Sequence, residues 1–550
     1  MQLSPSAYVD SFVRDHLPPP EHWPELVVDL PELAYPTQLN CAEELLEATI
    51  VRYGPDRPCL RAADGSVLTY EQVRDCANRI ARVLTEDLGL VSGNRVLLRG
   101  PNNPMLVAAW FGVLRAGGVV VTTMPLLRAG ELRTIAEICR PTIALCDARF
   151  TDDLVKAEID GLALTTYGGS NADDLTERMA AKPSDFQVVP TAADDVALLA
   201  FTSGTTGRPK ATMHFHRDVL AITDTFSAHV LKPRPDDVFA GSPPLAFTFG
   251  LGGLVIFPLR AGASTLLLEK AAPPDLFGAV AAHGVTVLFT SPVAYRAALG
   301  LLAEHDLSSL RRCVSAGEAL PKTTWEAFHD ATGLKIIDGI GSTELLHIFI
   351  GSADDEIRPG STGRPVPGYR ARIIDDAGVP VPDGELGRLA VIGPTGCRYL
   401  ADDRQQAYVV DGWNLTGDTY LRDSDGYFWY QARSDDMIIS AGYNIAGPEV
   451  EDALLRHPDV LECGVVGVPD VQRGTAVVTA YVVLRDGVPA SAETVTALQE
   501  HVKAEIAPYK YPRVIEFRDA LPRTNTGKLQ RFRLREEAAA GGSSGDTAGG

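Results

Sequence analysis

Nine residues, Thr202-Ser203-Gly204-Thr205-Thr206-Gly207-Arg208-Pro209-Lys210, put hydroxyls, glycines and two cations into one short segment. Glycines let main-chain N–H groups approach an anion closely, hydroxyls donate, and Arg208 and Lys210 supply charge. This is chemistry for wrapping a polyphosphate. It is not a Walker A loop, because Ala211 follows Lys210 and the glycine spacing differs. Four further constellations follow in chain order: Asp338-Gly339-Ile340-Gly341-Ser342-Thr343-Glu344, Gly412-Trp413-Asn414-Leu415-Thr416-Gly417-Asp418, Arg433-Ser434-Asp435-Asp436, and Pro522-Arg523-Thr524-Asn525-Thr526-Gly527-Lys528. Taken singly, each has a plain alternative. A Thr-Glu pair caps helices, Gly-Asp makes turns, and a C-terminal lysine is most often a surface residue.

The elements that must hold these residues are legible around them. An apolar run, Val196 to Phe201, enters the first loop directly. Helical patterns alternate with short apolar runs such as Arg95–Leu98, Gly118–Val121, Ile143–Cys146 and Val285–Phe289. That alternation predicts layered α/β sheets with parallel strands. Between Gly360 and Ile392 short β-rich pieces broken by Gly, Pro and Asp predict a small barrel-like or antiparallel subdomain. After Asp435 a shorter α+β pattern predicts a second domain, with helices over Val450–Leu455 and Ala492–Ile506 and strands over Cys463–Val468 and Val477–Leu484. The expected division is 1–434, 435–535, and a disordered Gly/Ser-rich tail over 536–550.

Composition narrows the partners. With 550 residues, 45% of them hydrophobic, the chain exceeds one ordinary domain and can bury large cores. The formal charge of −21 opposes nonspecific binding to nucleic acid and to anionic membranes. Anionic ligands would therefore need local cations. Eight cysteines lie scattered, with no Cys-x-x-Cys pair or zinc spacing, which predicts reduced thiols in a cytoplasmic protein. The first residues carry no basic start followed by an apolar core, and Leu106–Leu114 is too short to span a bilayer.

Together the five ordered motifs resemble those of the adenylate-forming superfamily: acyl- and aryl-CoA ligases, peptide-synthetase adenylation domains and firefly-type luciferases. The resemblance runs from about Asn40 to Arg535. It implies a large N-terminal domain and a small mobile lid that turns on Asp435. It also implies ATP, Mg²⁺ and coenzyme A. A carboxylate would attack the α-phosphorus of ATP, and a thiol would then displace AMP. In this resemblance Thr202, Ser203, Gly204, Thr205, Thr206, Gly207 and Lys210 would hold the phosphates, and Thr343 the α-phosphate. Glu344 would hold Mg²⁺, and Lys528 would bridge the two reacting anions. Ala316, Gly317 and Glu318 would lie along the adenine, Asp338 would belong to the cofactor site, Asp418 and Arg433 would lie on the ribose, and Gly442 and Lys510 on coenzyme A. Ala441 departs from the paired glycines of many relatives.

For the acid, Phe247, Thr248, Phe249, Ser291, Gly341, His347 and Ile348 are the expected lining. Aromatic side chains there suit a flat apolar ring. Gly-Ser-Thr-Glu followed by Leu345-Leu346-His347-Ile348-Phe349 resembles benzoate-type CoA ligases, as does Ile340 where most relatives carry Tyr. The leader segments Ser6–Phe12, Pro18–Pro24 and Leu30–Leu33 resemble those of 2-aminobenzoate–CoA ligases. The expectation is an aryl-CoA ligase, monomer or homodimer, with 2-aminobenzoate favoured over benzoate or salicylate. A stand-alone enzyme loading a carrier protein, and an inactive nucleotide-binding sensor or scaffold, are the rival readings.

Overall fold

The apolar runs become strands of two sheets. The computed structural model describes residues 3–202, 209–433, 436–440, 443–470, 475–506, 510–524 and 528–542. One sheet has six strands in the order Ala163–Tyr167, Ile143–Asp147, Arg95–Arg99, Val119–Thr123, Val196–Thr202 and Lys210–Phe215. The first five run parallel and the last turns back antiparallel. A second sheet has nine strands. Its parallel centre comprises Ile336–Gly341, Arg312–Ser315, Val287–Thr290, Val238–Gly241, Ser264–Leu267 and Pro58–Ala62. Antiparallel strands finish both edges.

The helices Tyr70–Arg82 and Pro104–Arg115 share one core with both sheets. Leu98, Val120 and Leu198 of the first sheet and Phe239, Phe289 and Ile337 of the second belong to it, with Trp110 and Phe111 between. Each such side chain contributes about 1.5–3 kcal/mol on burial, so the two sheets are held as one rigid frame.

The β-rich stretch is a five-stranded antiparallel sheet built from Arg370–Ile374, Leu386–Ile392, Trp413–Arg422, Val409–Val410 and Phe428–Arg433. It reaches well past Ile392, because the long strand Trp413–Arg422 pairs on both sides. The C-terminal unit has its own core around Val450, Leu454, Val465, Val482 and Leu498. Strands Val460–Asp470, Thr475–Leu484 and Val514–Phe517 form its sheet, flanked by helices Gly447–Leu455 and Ala492–Glu505. The disordered tail expected from 536 begins too early: a helix spans Arg531–Gly542. Glu536, Glu537 and the alanines after them are good helix formers, and Leu534 anchors that helix in the core.

The leader fastens to the six-stranded sheet. Ser6 Oγ donates to Asp195, the Ala7 amide also bonds Asp195, and the Trp23 ring lies 6.2 Å from that of Phe215.

Candidate active site

The candidate site lies where strands Val196–Thr202, Arg312–Ser315 and Ile336–Gly341 end, with Glu318, Glu344, Asp418 and Arg433 close enough to act on Lys528. Thr202 pairs with Lys210 at the mouth of the first hairpin. Ser203, Gly204, Thr205, Thr206 and Gly207 lie outside the described residues, as do Asp435 and Gly442. Lys210 Nζ donates to the Tyr399 hydroxyl at 2.6 Å, and that hydroxyl donates to Glu344 Oε1, also at 2.6 Å. Lys210 and Glu344 are themselves 3.5 Å apart. The three groups form one charge-assisted relay. Burial pushes the Tyr399 phenol far above its ordinary pKa, so it stays a donor.

Tyr399 reaches this position because Arg398–Leu400 pairs with the edge strand, through Thr212–Tyr399, Met213 N–H to the Arg398 carbonyl and Leu400 N–H to the Ala211 carbonyl. Arg398 next to it is fully buried against Asp218 at 2.8 Å, with its guanidinium 4.1 Å from the centre of the Phe215 ring.

Thr343, Glu344 and His347 ride on one hairpin tip between strands Ile336–Gly341 and Ile348–Gly351. His214 donates from Nε2 to the Thr343 carbonyl at 2.8 Å. Its pKa is lowered to about 4 by burial, which keeps the ring neutral. Leu346 holds φ +72° in this tip, a conformation that L side chains rarely adopt. Gly341 is required: a Cβ there would lie 2.7 Å from the His347 carbonyl oxygen.

Asp418 and Arg433 sit opposite one another on adjacent strands. Arg433 Nη1 meets Asp418 Oδ1 at 3.2 Å and also donates to the Thr416 carbonyl. Burial raises the Asp418 pKa, with Arg433 opposing. Asp338 Oδ1 is buried and without a hydrogen-bond partner among the described residues. Burial lifts its carboxyl well above the usual range, with the Gly339 and Leu320 main chain opposing.

The loop Ala316-Gly317-Glu318 follows strand Arg312–Ser315. Gly317 holds φ +96°, and a Cβ there would lie 3.5 Å from Lys528 Cε. The lid therefore lays Lys528 directly over this loop. Lys528 retains solvent access, yet the crease around it desolvates the ammonium enough to lower its pKa, while Glu318, Asp418 and Glu344 act to raise it. Lys510 stands apart, held by both carboxylate oxygens of Glu449 at 2.6 Å within the lid.

The expected acid pocket is an aromatic cage. His347 is 2% exposed. Its ring centroid lies 4.5 Å from Phe257, 5.6 Å from Phe226, 5.7 Å from Phe249 and 6.3 Å from Phe289. Neither ring nitrogen has a hydrogen-bond partner among the described residues. The Phe249 main chain acts only to raise a pKa that burial has taken down to about 3. Thr248 and Phe249 open a continuous helical stretch over 248–260, in which Gly252 faces the His347 ring. Phe247 and Ser291 occupy the residues just before helices. Ile348, by contrast, lies across Gly339 in the core beneath the hairpin.

A family model described as AMP-binding enzyme matches residues 46–399, and the model of the AMP-binding enzyme C-terminal domain matches 449–528. The chain belongs to the AMP-binding enzyme family. It is an ATP-using, AMP-forming enzyme. The benzoate–CoA ligase of Thauera aromatica is 34% identical, over 92% of this chain and 97% of that protein. The 3-hydroxybenzoate–CoA ligase of Aromatoleum sp. (strain CIB) is 32% identical, over 92% and 98%. A crystal structure of the anthranilate CoA ligase AuaEII with anthranoyl-AMP superposes with a TM-score of 0.89 at 34% identity, covering 94% of this chain and all of that one.

Two groups of candidate site residues in this AMP-binding enzyme lie outside the motifs. Tyr399 comes to Glu344 through nonlocal strand pairing. Phe226, Phe257 and Phe289 come from separate elements, and in the sequence they look like core. Among the described residues no cluster of three His, Cys, Asp or Glu could hold a metal by itself, and no helix is long and apolar enough to cross a membrane.

Proposed function

We propose that the protein is an aryl-CoA ligase that converts 2-aminobenzoate, ATP and coenzyme A to 2-aminobenzoyl-CoA, AMP and pyrophosphate. His347 carries this reading. A neutral imidazole with neither nitrogen hydrogen-bonded among the described residues, enclosed by four phenylalanines, costs about 1–3 kcal/mol for each group left unsatisfied. A flat aromatic ring bearing an amino group would stack with the cage and pair with the imidazole. Benzoate lacks such a group and would leave the nitrogens unpaired. The similarity to benzoate, hydroxybenzoate and anthranilate CoA ligases supports the aryl class.

The first half-reaction joins two anions. A carboxylate oxygen bonds to the α-phosphorus as the bond to the β-phosphate oxygen breaks, and pyrophosphate leaves. The chief requirement is charge neutralisation and alignment. Lys210 would neutralise the polyphosphate, and Lys528, at the crease over Gly317, would bridge the carboxylate and the α-phosphate. Asp418 and Arg433 would bind the ribose, and the orphan oxygen of Asp338 would accept from the adenine amino group. Glu344 is a buried hard-oxygen donor with Oε1 fixed by Tyr399. A lone carboxylate suits Mg²⁺, which is bound largely through substrate phosphates and water. When bound, Mg²⁺ would screen phosphate charge. In the second half-reaction the thiol sulfur bonds to the carbonyl carbon as the bond from that carbon to the phosphate oxygen breaks; AMP leaves with the oxygen and the thiol proton passes to solvent. For that step the lid would turn on Asp435, withdraw Lys528, and bring Gly442 and Lys510 to coenzyme A.

A panel of substituted benzoates tests the reading, with AMP release measured with and without coenzyme A. The highest kcat/KM is expected for 2-aminobenzoate, with AMP release dependent on the thiol. A preference for benzoate or 2-hydroxybenzoate would overturn the choice of acid. AMP release that responds to a carrier protein and not to coenzyme A would overturn the choice of acceptor.

A further inference from the structure

The turn that carries Lys528 is gripped from both domains. On the lid side it is a narrow antiparallel hairpin in which Arg523 pairs with Leu529. Thr524 N–H donates to the Lys528 carbonyl, Lys528 N–H to Thr524 Oγ1, and Gln530 N–H to the Pro522 carbonyl. Successive amides in an extended strand point to opposite sides. The Leu529 amide is thus turned away from its own hairpin, while its side chain packs into the lid core beside Gly464 and Val466. That outward amide donates to Glu318 Oε1 at 2.9 Å, across the domain boundary. Arg523 adds a second contact to the same oxygen at 3.6 Å, and it also pairs with Glu462 of the lid sheet.

Sequence resemblance puts Glu318 on the adenine loop. The observed carboxylate instead faces the lid. Its neighbour Gly317 supplies the open, positive-φ surface on which the Lys528 stem rests. Loop and lysine are thereby registered one residue apart on each side: Gly317 under Lys528, Glu318 on Leu529.

We propose that Glu318 is the positioning residue of the adenylating arrangement, a latch that fixes Lys528 over the nucleotide cleft by holding the Leu529 amide. The assignment rests on the two-step ligase reading above. The latch belongs to the first step alone, because any lid rotation that withdraws Lys528 must break both contacts to Glu318. A charge-assisted bond from a main-chain amide to a carboxylate is among the stronger hydrogen bonds, and its acceptor function survives in a glutamine.

The test uses the full-length enzyme and the variants Glu318→Ala and Glu318→Gln. Adenylation is followed by aromatic-acid-dependent ATP–pyrophosphate exchange. The second step is followed by thioester formation from synthetic aryl-adenylate and coenzyme A. Glu318→Ala is expected to lower the exchange kcat by roughly 10- to 100-fold, with the acid KM little changed and the thioester step equal or faster. Glu318→Gln is expected to recover most of the exchange. Amide hydrogen exchange at Leu529 gives a readout free of activity: protection should fall in the alanine variant and persist in the glutamine variant. Equal damage to both half-reactions, no rescue by glutamine, or unchanged Leu529 protection would overturn the latch. Absence of exchange in the unsubstituted enzyme with every aromatic acid would instead overturn the ligase reading.

Discussion

The Tyr399 hydroxyl donates to Glu344 Oε1 at 2.6 Å while accepting from Lys210 at the same distance. One phenol thus sets the spacing between the cation at the phosphate hairpin and the carboxylate expected to meet Mg²⁺. Tyr399→Phe leaves the ring packing against Tyr408 and removes only the hydroxyl. Lys210 and Glu344 would then relax toward direct contact, and the carboxylate would be neutralised where the metal needs it. Adenylation should fall about 10- to 100-fold, at roughly 1.5–3 kcal/mol for a hydrogen bond to a charged group. The Mg²⁺ concentration for half-maximal binding of a non-hydrolysable ATP analogue should rise, as measured by titration calorimetry. An unchanged Mg²⁺ requirement would remove Tyr399 from the site.

His347 also sets a pH dependence. Its folded pKa lies near 3 and its unfolded value near 6.5. The unfolded chain therefore binds a proton below pH 6.5 that the folded chain refuses. Its contribution to stability is fully present above 6.5 and is lost progressively as pH falls toward 3. Other groups also titrate in this range, so the informative quantity is a difference. Between pH 6 and 5 the stability of the unsubstituted protein should fall more steeply than that of His347→Leu, by about 1.4 kcal/mol per pH unit. Denaturant titrations at several pH values measure it. Parallel slopes would mean that the ring is protonated in the fold.

Much of this was readable in the chain. The strands Val119–Thr123 and Ile143–Asp147 are apolar runs of the right length, and a buried parallel strand has few other ways to be written. Glu344, Asp418 and Lys528 announce themselves because tight, polar, glycine-bearing turns have little reason to exist in a core. Tyr399 and Phe289 do not. Their roles come from Thr212–Tyr399 pairing and from three separate elements closing on His347, and nothing local in the sequence records which residues will meet. The same holds for Glu318, whose neighbours suggest the nucleotide while its partner is more than two hundred positions away. The glycines and serines of the tail begin only after the helix-forming residues through Ala540, so the helix Arg531–Gly542 runs into the span expected to be disordered.

Asp338 makes a prediction about base selection. Its Oδ1 is buried and has no hydrogen-bond partner among the described residues, and the proposed reaction sets the adenine amino group against it. An exocyclic amino group would satisfy that oxygen and favour the ionised carboxylate, which a carbonyl at the same ring position would face acceptor to acceptor. The unsubstituted enzyme should therefore prefer ATP to GTP by about 10²-fold or more. Asp338→Ala should raise the KM for ATP and shrink the ATP/GTP ratio, with the acid KM unchanged. Steady-state kinetics with both nucleotides decides it, and an undiminished ratio would place base recognition elsewhere.

The last prediction concerns a residue with no side chain. Gly341 lets the hairpin tip fold back so tightly that a Cβ would stand 2.7 Å from the His347 carbonyl oxygen. That contact is to backbone, so it cannot be relieved by a rotamer change. Gly341→Ala must push strand Ile336–Gly341 and the His347 segment apart, and Thr343, Glu344 and His347 all hang from that junction. The expected stability loss is about 1–3 kcal/mol, typical of an overpacked position. The larger effect should be on the reaction, because misplacing a positioned group by an ångström costs about 10²-fold. The nearby Gly339→Ala is the control: the three atoms nearest its Cβ would all belong to the Ile348 side chain, so repacking should cost stability while adenylation largely survives. Thermal melts and pyrophosphate exchange on both variants separate the two effects. If Gly341→Ala were as active as Gly339→Ala, the hairpin would not be what holds Glu344 and His347 in register.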